Sequence, residues 1–320
     1  MDKDLQNILL IGKNGQVGWE LQRALAPLGN LVVADRSDKN LPLDLAVPDA
    51  ICSLVREIRP VLIVNAAAYT EVDKAEEEFD KAMAINGKAP GVLAEEAHKL
   101  GAALIHYSTD YVFDGTSATP YEETDTPEPV NTYGRTKLEG DRAIEAVGGS
   151  YLILRTSWVY GTRGKNFLLT MLRLARERET LKIVDDQTGS PTWSRMIAES
   201  TAHILARAAC SSSSGNNLDF REYLSEIKGI YNLTSSGTTS WYGFAKAILA
   251  DTSGVIENRI KEISPIPTSE YPVPAPRPPF SAMSGEKLFR TFGQRLPHWR
   301  HALDLCLQDW VECTLKGGKL

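Results

Sequence analysis

Cysteine is scarce in this chain: four in 320 residues, Cys52, Cys210, Cys306 and Cys313, with no C-x-x-C pair among them. That excludes a disulfide framework and a thiolate metal cage, and free thiols point to a reducing, cytoplasmic compartment. Histidine is as sparse. The five show no ligand spacing, so no metal is expected, and His298 with His301 fits a helix start near solvent. Long apolar runs are missing. The run Ile8-Leu9-Leu10-Ile11 is too short for a signal-peptide core or a membrane span. An excess of positive charge is missing too. The net charge is −6 and Lys and Arg form no cluster, the wrong footprint for nucleic acid or a membrane surface. A small anion needs only a few local cations and stays open. His106 and Ser108 lie near each other without a G-x-S-x-G elbow, which sets aside a Ser-His-Asp hydrolase. The sequon at Asn232-Leu233-Thr234 has no consequence in a cytoplasmic chain.

What is present is an alternation. Short apolar runs at 8–11, 31–34, 61–64, 102–105 and 151–154 read as strands, with helical patterns at 49–58, 86–100 and 133–147 between them. After the first strand a helix carries Val17, Leu21, Leu25 and Leu28 on one face. Strands apolar throughout, alternating with helices, imply a doubly wound parallel sheet covered on both faces, an α/β fold of the Rossmann type. Beyond about residue 157 the alternation becomes irregular. Helices are expected at 166–177, 193–209, 240–250 (from a serine cap) and 298–315, and a strand at 230–233. This divides the chain into a dinucleotide-binding domain over 1–157 and a smaller α/β lobe over 158–320, some of whose segments return to the first. Residues 210–217, with four consecutive serines, read as a surface loop. Residues 265–279, with seven of the seventeen prolines, read as a loop wrapping a lobe.

Gly12-Lys13-Asn14-Gly15-Gln16-Val17-Gly18 follows the first strand and opens the first helix. Glycines there let the backbone turn tightly against a pyrophosphate, and the helix N-terminus offers unpaired N–H groups. The spacing is G-x-x-G-x-x-G, and its position between strand and helix is what makes it a dinucleotide turn. Asp35, seventeen residues after Gly18, is placed to accept from the adenosine ribose hydroxyls, which favours NADH. Arg36 beside it either holds a 2′-phosphate, favouring NADPH, or is a solvated loop residue. Both cofactors stay open. Asp44 is a candidate contact for the adenine. Asn65-Ala66-Ala67-Ala68 ends a strand with small residues, as where backbone passes close to a ligand.

Tyr133 and Lys137 are four apart on a helical pattern and share a face. An ammonium near a phenol stabilises the phenolate, so the expectation is a Tyr133 proton donor with its pKa lowered by Lys137. The proton goes to the alkoxide formed as hydride reaches a carbonyl carbon, and Thr109 is placed to hold that oxygen. Tyr242 and Lys246 repeat the spacing with no strand and Ser-Thr turn ahead of them, and are read as a chance pair.

The glycine turn, the stretch Ser108-Thr109-Asp110-Tyr111-Val112-Phe113-Asp114-Gly115 and Tyr133-Gly134-Arg135-Thr136-Lys137 together resemble the extended short-chain dehydrogenase/reductase family. Segments 12–25, 64–76, 155–161, 185–192, 235–242 and 275–278 narrow the likeness to its dTDP-4-dehydrorhamnose reductases, over nearly the whole chain. The resemblance implies NADPH- or NADH-dependent reduction of the C4 keto group of dTDP-4-dehydro-L-rhamnose, and a small-molecule dTDP-sugar as partner. Thr109, Tyr133 and Lys137 fall on the family's catalytic positions, with Ser108 and Asp110 beside them on the substrate side. Asp110 also reads as a cap on the following turn. Trp158 falls in a segment facing the sugar nucleotide, and is either a ring packed on sugar or base or plain core. Arg277 is either a diphosphate contact or a surface cation. Some relatives dimerise around a metal ion. Here Arg195 stands where a carboxylate would be expected, so no metal is implied and a homodimer is left open. The insertion at 210–228 lies outside the family pattern. Two other readings remain: a catalytically silent regulatory subunit of the methionine adenosyltransferase type, which retention of Thr109, Tyr133 and Lys137 argues against, and another nucleotide-sugar epimerase or dehydratase.

Overall fold

A computed structural model describes residues 6–207 and 220–316, with side chains to 312. The expected serine loop at 210–217 and the side chain of Cys313 lie outside the described residues. The apolar runs become strands β1 (Asn7–Ile11), β2 (Asn30–Ala34), β3 (Leu62–Asn65), β4 (Ala103–Thr109) and β5 (Ser150–Thr156). Every residue of β3, β4 and β5 is buried, as a sheet covered on both faces requires. A sixth strand, β6 (Gly229–Asn232), pairs with β5 from far along the chain. The order is β6-β5-β4-β3-β1-β2, and all pairings are parallel. The sheet is a Rossmann-type doubly wound sheet.

Helices α1 (Gln16–Leu25), α2 (Pro48–Ile58), α3 (Ala89–Leu100) and α4 (Thr132–Val147) accompany it. Two apolar clusters form the core, with Ile8, Leu10, Leu21 and Leu25 in one and Leu9, Ile11, Ile51 and Leu93 in the other. The alternating residues of β1 thus feed opposite faces. A third cluster binds the later lobe around Leu168, Phe244, Trp299 and Cys306. There Ser240 caps the helix Trp241–Asp251 by accepting from Gly243 N at 3.0 Å, as its sequence suggested.

Two expectations change in detail. The helix read over 86–100 is preceded by a π-helical turn, Met83–Lys88, that presents Asn86 to its neighbours. Asn86 accepts from Tyr69 N at 2.8 Å and donates to Tyr69 O and to Thr136 Oγ1. The proline-rich segment is not loop throughout. Glu262–Ile266, Pro265 included, is a strand pairing in parallel with Thr180–Val184; both form a two-stranded sheet, where edges tolerate proline. The rest of the segment crosses back to the first half, with Pro276 O accepting from Asn131 Nδ2. Among the described residues no helix is long and apolar enough to cross a membrane.

The approach of α4 to the π turn has no room for a side chain at Gly140, where a Cβ would stand 2.1 Å from the Asn86 carbonyl oxygen. Gly140→Ala gains up to about 1 kcal/mol of helix propensity, yet the clash should outweigh it and leave a net loss of about 2 kcal/mol. Urea unfolding measures this; a variant as stable as the parent would show that the two segments do not pack as described.

Candidate active site

All six strands run the same way, so the loops leaving β1, β3 and β4 emerge at one edge of the sheet. The register carries this through, with Ile11 opposite Asn65 and Asn65 opposite His106. Adjacent ends are therefore about 5 Å apart. The chain order reverses direction between β1 and β3, where doubly wound sheets open a binding crevice.

At that edge the three glycines of the turn have different reasons to be glycine. Gly12 has φ +89° and a Cβ there would lie 2.6 Å from Ala67 N, so the turn abuts the backbone leaving β3. A Cβ on Gly18 would lie 2.0 Å from Gly12 O. Both are demanded by the protein's own packing. A Cβ on Gly15 meets only Gly12 O at 3.4 Å, an ordinary contact. Space has been left over Gly15 that the protein does not fill, beside the first turn of α1, which has no side-chain cap. Those free N–H groups and that space are what a phosphate needs. Gln16 reaches across, donating to Val159 O and accepting from Asn166 Nδ2 at 2.9 Å. Val17 points into the core instead.

Asp35 follows β2. Burial pushes its carboxyl up, but hydrogen bonds from Ser37 and Asn14 prevail and hold it below its usual range. Asn14 N lies 3.4 Å from Asp35 Oδ2, and Asn14 Nδ2 donates to Ser37 Oγ. Arg36 is exposed and makes no ion pair among the described residues. Asp44 accepts from Ala46 N at 2.9 Å, closing its own turn. Asn65 is buried, accepts from Ala67 N and faces His106; Ala66 N donates to Ile11 O.

The candidate proton-handling residues meet at the end of β4. Thr109 donates to Asp110 Oδ1 at 3.1 Å and accepts from Tyr111 N. The Tyr133 phenol lies beside the Thr109 hydroxyl, and its ring meets Tyr111 edge-on at 5.6 Å. Helix α4 is locked to the strand along one face. A Cβ on Gly134 would come 2.1 Å from Tyr111 O, Lys137 Nζ donates to Tyr107 O at 2.6 Å, and Asp141 accepts from Ser108 Oγ at 2.8 Å. Ser108 is thereby turned away from Thr109, into a buried group with Asp141 and Arg155.

Burial dominates the electrostatics. It pushes Tyr133 up to about 12, against the Thr109 hydroxyl, with Asp110 and Asp141 adding to the rise. The expected lowering of this phenol by Lys137 is not what the site contains. The lysine nitrogen is spent on Tyr107 O and on His106 Nε2 at 3.0 Å, and burial draws it down to about 8 while Asp141 opposes. Burial also lifts Asp110 to about 6, although hydroxyls of Ser281, Thr109 and Ser157 favour its charged form.

Two substrate-side candidates are engaged with protein groups. Trp158, in a left-handed conformation at φ 44°, stacks face to face on Trp241 with centroids 3.5 Å apart. Gly189 lies against it, where a Cβ would be 2.4 Å from Trp158 Cε2. Arg277 grips both oxygens of Asp73 at 2.9 Å, donates to Ala275 O, and lies over the Tyr111 ring. Arg195 pairs with Glu20 and Asp309. No three His, Cys, Asp or Glu side chains converge among the described residues. Tyr242 and Lys246 lie apart from this edge, with Lys246 over its own helix's Tyr242 ring. The sequence does not single out Asn86 or Asp73, and it offers His106 only beside Ser108; no local pattern marks them, since each takes its part from a partner on another element.

Two outcomes follow for the site. Gly15→Ala should fold as the parent does while its NAD(P)H dissociation constant rises at least tenfold by titration, whereas Gly18→Ala should lose stability before affinity is in question. Equal binding by Gly15→Ala would take the turn out of the site. Asp110, with a folded pKa above its unfolded one, binds more protons when folded, so its charging costs stability as pH rises from about 4 to about 6. Asp110→Asn should therefore be more stable than the parent at pH 7.5, on the order of 2 kcal/mol, with no gain near pH 4. Paired urea titrations decide it; no gain at pH 7.5 would contradict the assignment.

Comparison with known proteins places this geometry in a family. A profile described as the RmlD substrate binding domain matches residues 6–312. A dTDP-4-dehydrorhamnose reductase of Burkholderia thailandensis is 50% identical over 305 residues, covering 94% of this chain and 98% of that protein. One from Salmonella typhimurium is 45% identical over 309 residues, covering 96% and 99%. Among solved structures, a dTDP-4-dehydrorhamnose reductase from Bacillus anthracis in complex with NADP has a TM-score of 0.81 at 32% identity, covering 95% of this chain and 99% of that one. A UDP-glucose 4-epimerase from Thermus thermophilus, at 19% identity and TM-score 0.74, shares the fold. The chain belongs to the dTDP-4-dehydrorhamnose reductase family.

Proposed function

We propose that this protein reduces the C4 keto group of dTDP-4-dehydro-L-rhamnose to give dTDP-L-rhamnose, with NADPH or NADH as reductant. The observation that carries the reading is the meeting of the Thr109 and Tyr133 hydroxyls at the end of β4, on the sheet edge that also bears the Gly12–Gly18 turn. The space over Gly15 and the uncapped first turn of α1 fit a pyrophosphate. When bound, the nicotinamide supplies the hydride. Asp35 receives the ribose hydroxyls, and Arg36, exposed and unpaired among the described residues, is available to a 2′-phosphate. The NADP in the Bacillus anthracis relative supports NADPH use.

Tyr133 gives its proton to the C4 oxygen as negative charge develops there. A phenol held near 12 is protonated at neutral pH, the state that a proton donor requires. Thr109 orients the same oxygen. Its hydroxyl proton, directed to Asp110 Oδ1 in the free site, turns to that oxygen when substrate binds, while Tyr111 N donates to the hydroxyl. Lys137, bonded to Tyr107 O and His106, holds α4 against β4 and so keeps the Tyr133 phenol at this oxygen. On the sugar-nucleotide side, Arg277 meets the diphosphate with the N–H groups that Asp73 and Ala275 O leave over, and Trp158 offers its ring to the sugar.

Tyr133→Phe keeps the ring and removes the donor. Turnover should fall about 10²–10⁴-fold, with the NADPH dissociation constant unchanged. Both are read from loss of nicotinamide absorbance with the 4-keto sugar nucleotide and from direct titration. Unimpaired turnover would assign the proton to another group.

A further inference from the structure

His106 stands at the centre of the site, and the reduction just described does not use it. Its ring is 1% exposed, on β4 between Asn65 of β3 and Lys137 of α4. The hydrogen bonds around it run in one direction. Ala67 N–H, which has no other role to play, donates to Asn65 Oδ1 at 3.2 Å. That contact fixes the amide so that its NH₂ end faces His106 Nδ1 at 3.1 Å. A ring nitrogen facing an N–H donor is the acceptor. Nδ1 is therefore bare, and the one proton of the neutral ring sits on Nε2. Burial, with Lys137 adding to it, holds His106 well below its ordinary range, so the ring is neutral. Its Nε2–H points at Lys137 Nζ, 3.0 Å away. An ammonium has only donors to offer in return. An amine has a lone pair to receive that N–H, and still donates to Tyr107 O at 2.6 Å.

We propose that His106 is a positioning residue for Lys137: locked through Asn65 in its Nε2-protonated tautomer, it loosens the lysine's hold on its proton. The inference rests on the reading of Tyr133 as proton donor, because Lys137 lies one helical turn from that phenol and anchors the helix that carries it. The other groups acting on Lys137 divide. Burial works with the imidazole, and Asp141, one turn along α4, works against it. Burial lifts Asp141 in turn, while Arg155 on β5, Lys137 and the Ser108 hydroxyl pull it down. Along α4, Glu145 adds to the rise of Asp141, and Asp141 in turn adds to that of Tyr133. The chain Ala67 N–H, Asn65, His106, Lys137 spans β3, β4 and α4, so the backbone beside the glycine turn communicates with the lysine by hydrogen-bond direction alone.

Asn65→Asp reverses the chain. A carboxylate accepts from Ala67 N–H and from His106 Nδ1–H, which moves the ring proton and turns Nε2 into an acceptor for the ammonium. Nitrogen-15 spectra of histidine-labelled protein, without substrate or cofactor, should show His106 neutral with the proton on Nε2. Lysine-labelled spectra follow the Lys137 titration, which should move up by about one pH unit or more in Asn65→Asp and in His106→Gln. A wild-type ring protonated on Nδ1 or on both nitrogens, or a Lys137 titration unmoved in a folded variant, would overturn the proposal. Should neither variant fold, the wild-type spectrum decides alone. None of these readings depends on turnover, so a protein with the expected tautomer and no ketoreduction would count against the proposed reaction and leave the tautomer lock standing.

Discussion

The contact between one face of α4 and the end of β4 is what the site depends on. Three positions along the helix meet the strand and its turn: Gly134 under Tyr111 O, Lys137 at Tyr107 O, Asp141 at Ser108 Oγ. Spaced by three and four, they lie on one helical stripe. Two of the contacts bury groups that cannot go unpaired without cost, and the third admits no side chain. The helix therefore cannot slide along the strand or rotate upon it. That constraint puts the Tyr133 phenol beside the Thr109 hydroxyl, and the parallel sheet puts both on the edge that carries the glycine turn.

Burial explains the chemistry better than local charge does. Lys137, His106 and Asp110 are buried and Tyr133 is half-buried, and each shifts toward its neutral form. The phenol is kept protonated, the imidazole is fixed in one tautomer, and Asp110 is held near the point where it changes charge. A site of buried, oriented groups has little to reorganise when charge appears on a substrate oxygen. The cost falls on stability, since a carboxylate at position 110 and a lysine at 137 are poor occupants of a folded interior.

Much of this was legible beforehand. The first five strands announce themselves as unbroken apolar runs, because a sheet buried on both faces admits nothing else. The glycine turn, Thr109 and the Tyr133–Lys137 pair were legible because their geometry is local: a strand end, a turn, one helical repeat. What escaped needs distant partners. Arg277 meets Asp73 across 204 positions, His106 acquires direction only from Asn65 and Ala67, and Ser108 turns to Asp141 rather than to the substrate side. The expected lowering of the phenol failed for the same reason. Sequence spacing places Lys137 near Tyr133, but cannot show that its nitrogen is already bonded to Tyr107 O and His106. The π turn at Met83–Lys88 packs Asn86 O against Gly140, a contact that no helical periodicity encodes.

In the proposed reaction this edge of the sheet moves hydride to a sugar C4 while Tyr133 moves a proton to its oxygen. The most direct measurement supplies NADPH deuterated at the nicotinamide C4, on the transferred face, together with dTDP-4-dehydro-L-rhamnose, and locates the deuterium in the product by NMR. A single label at C4 of the sugar in dTDP-L-rhamnose, in one configuration, is the expected result. Oxidised cofactor with no deuterium on the sugar, or label at another carbon, would contradict it.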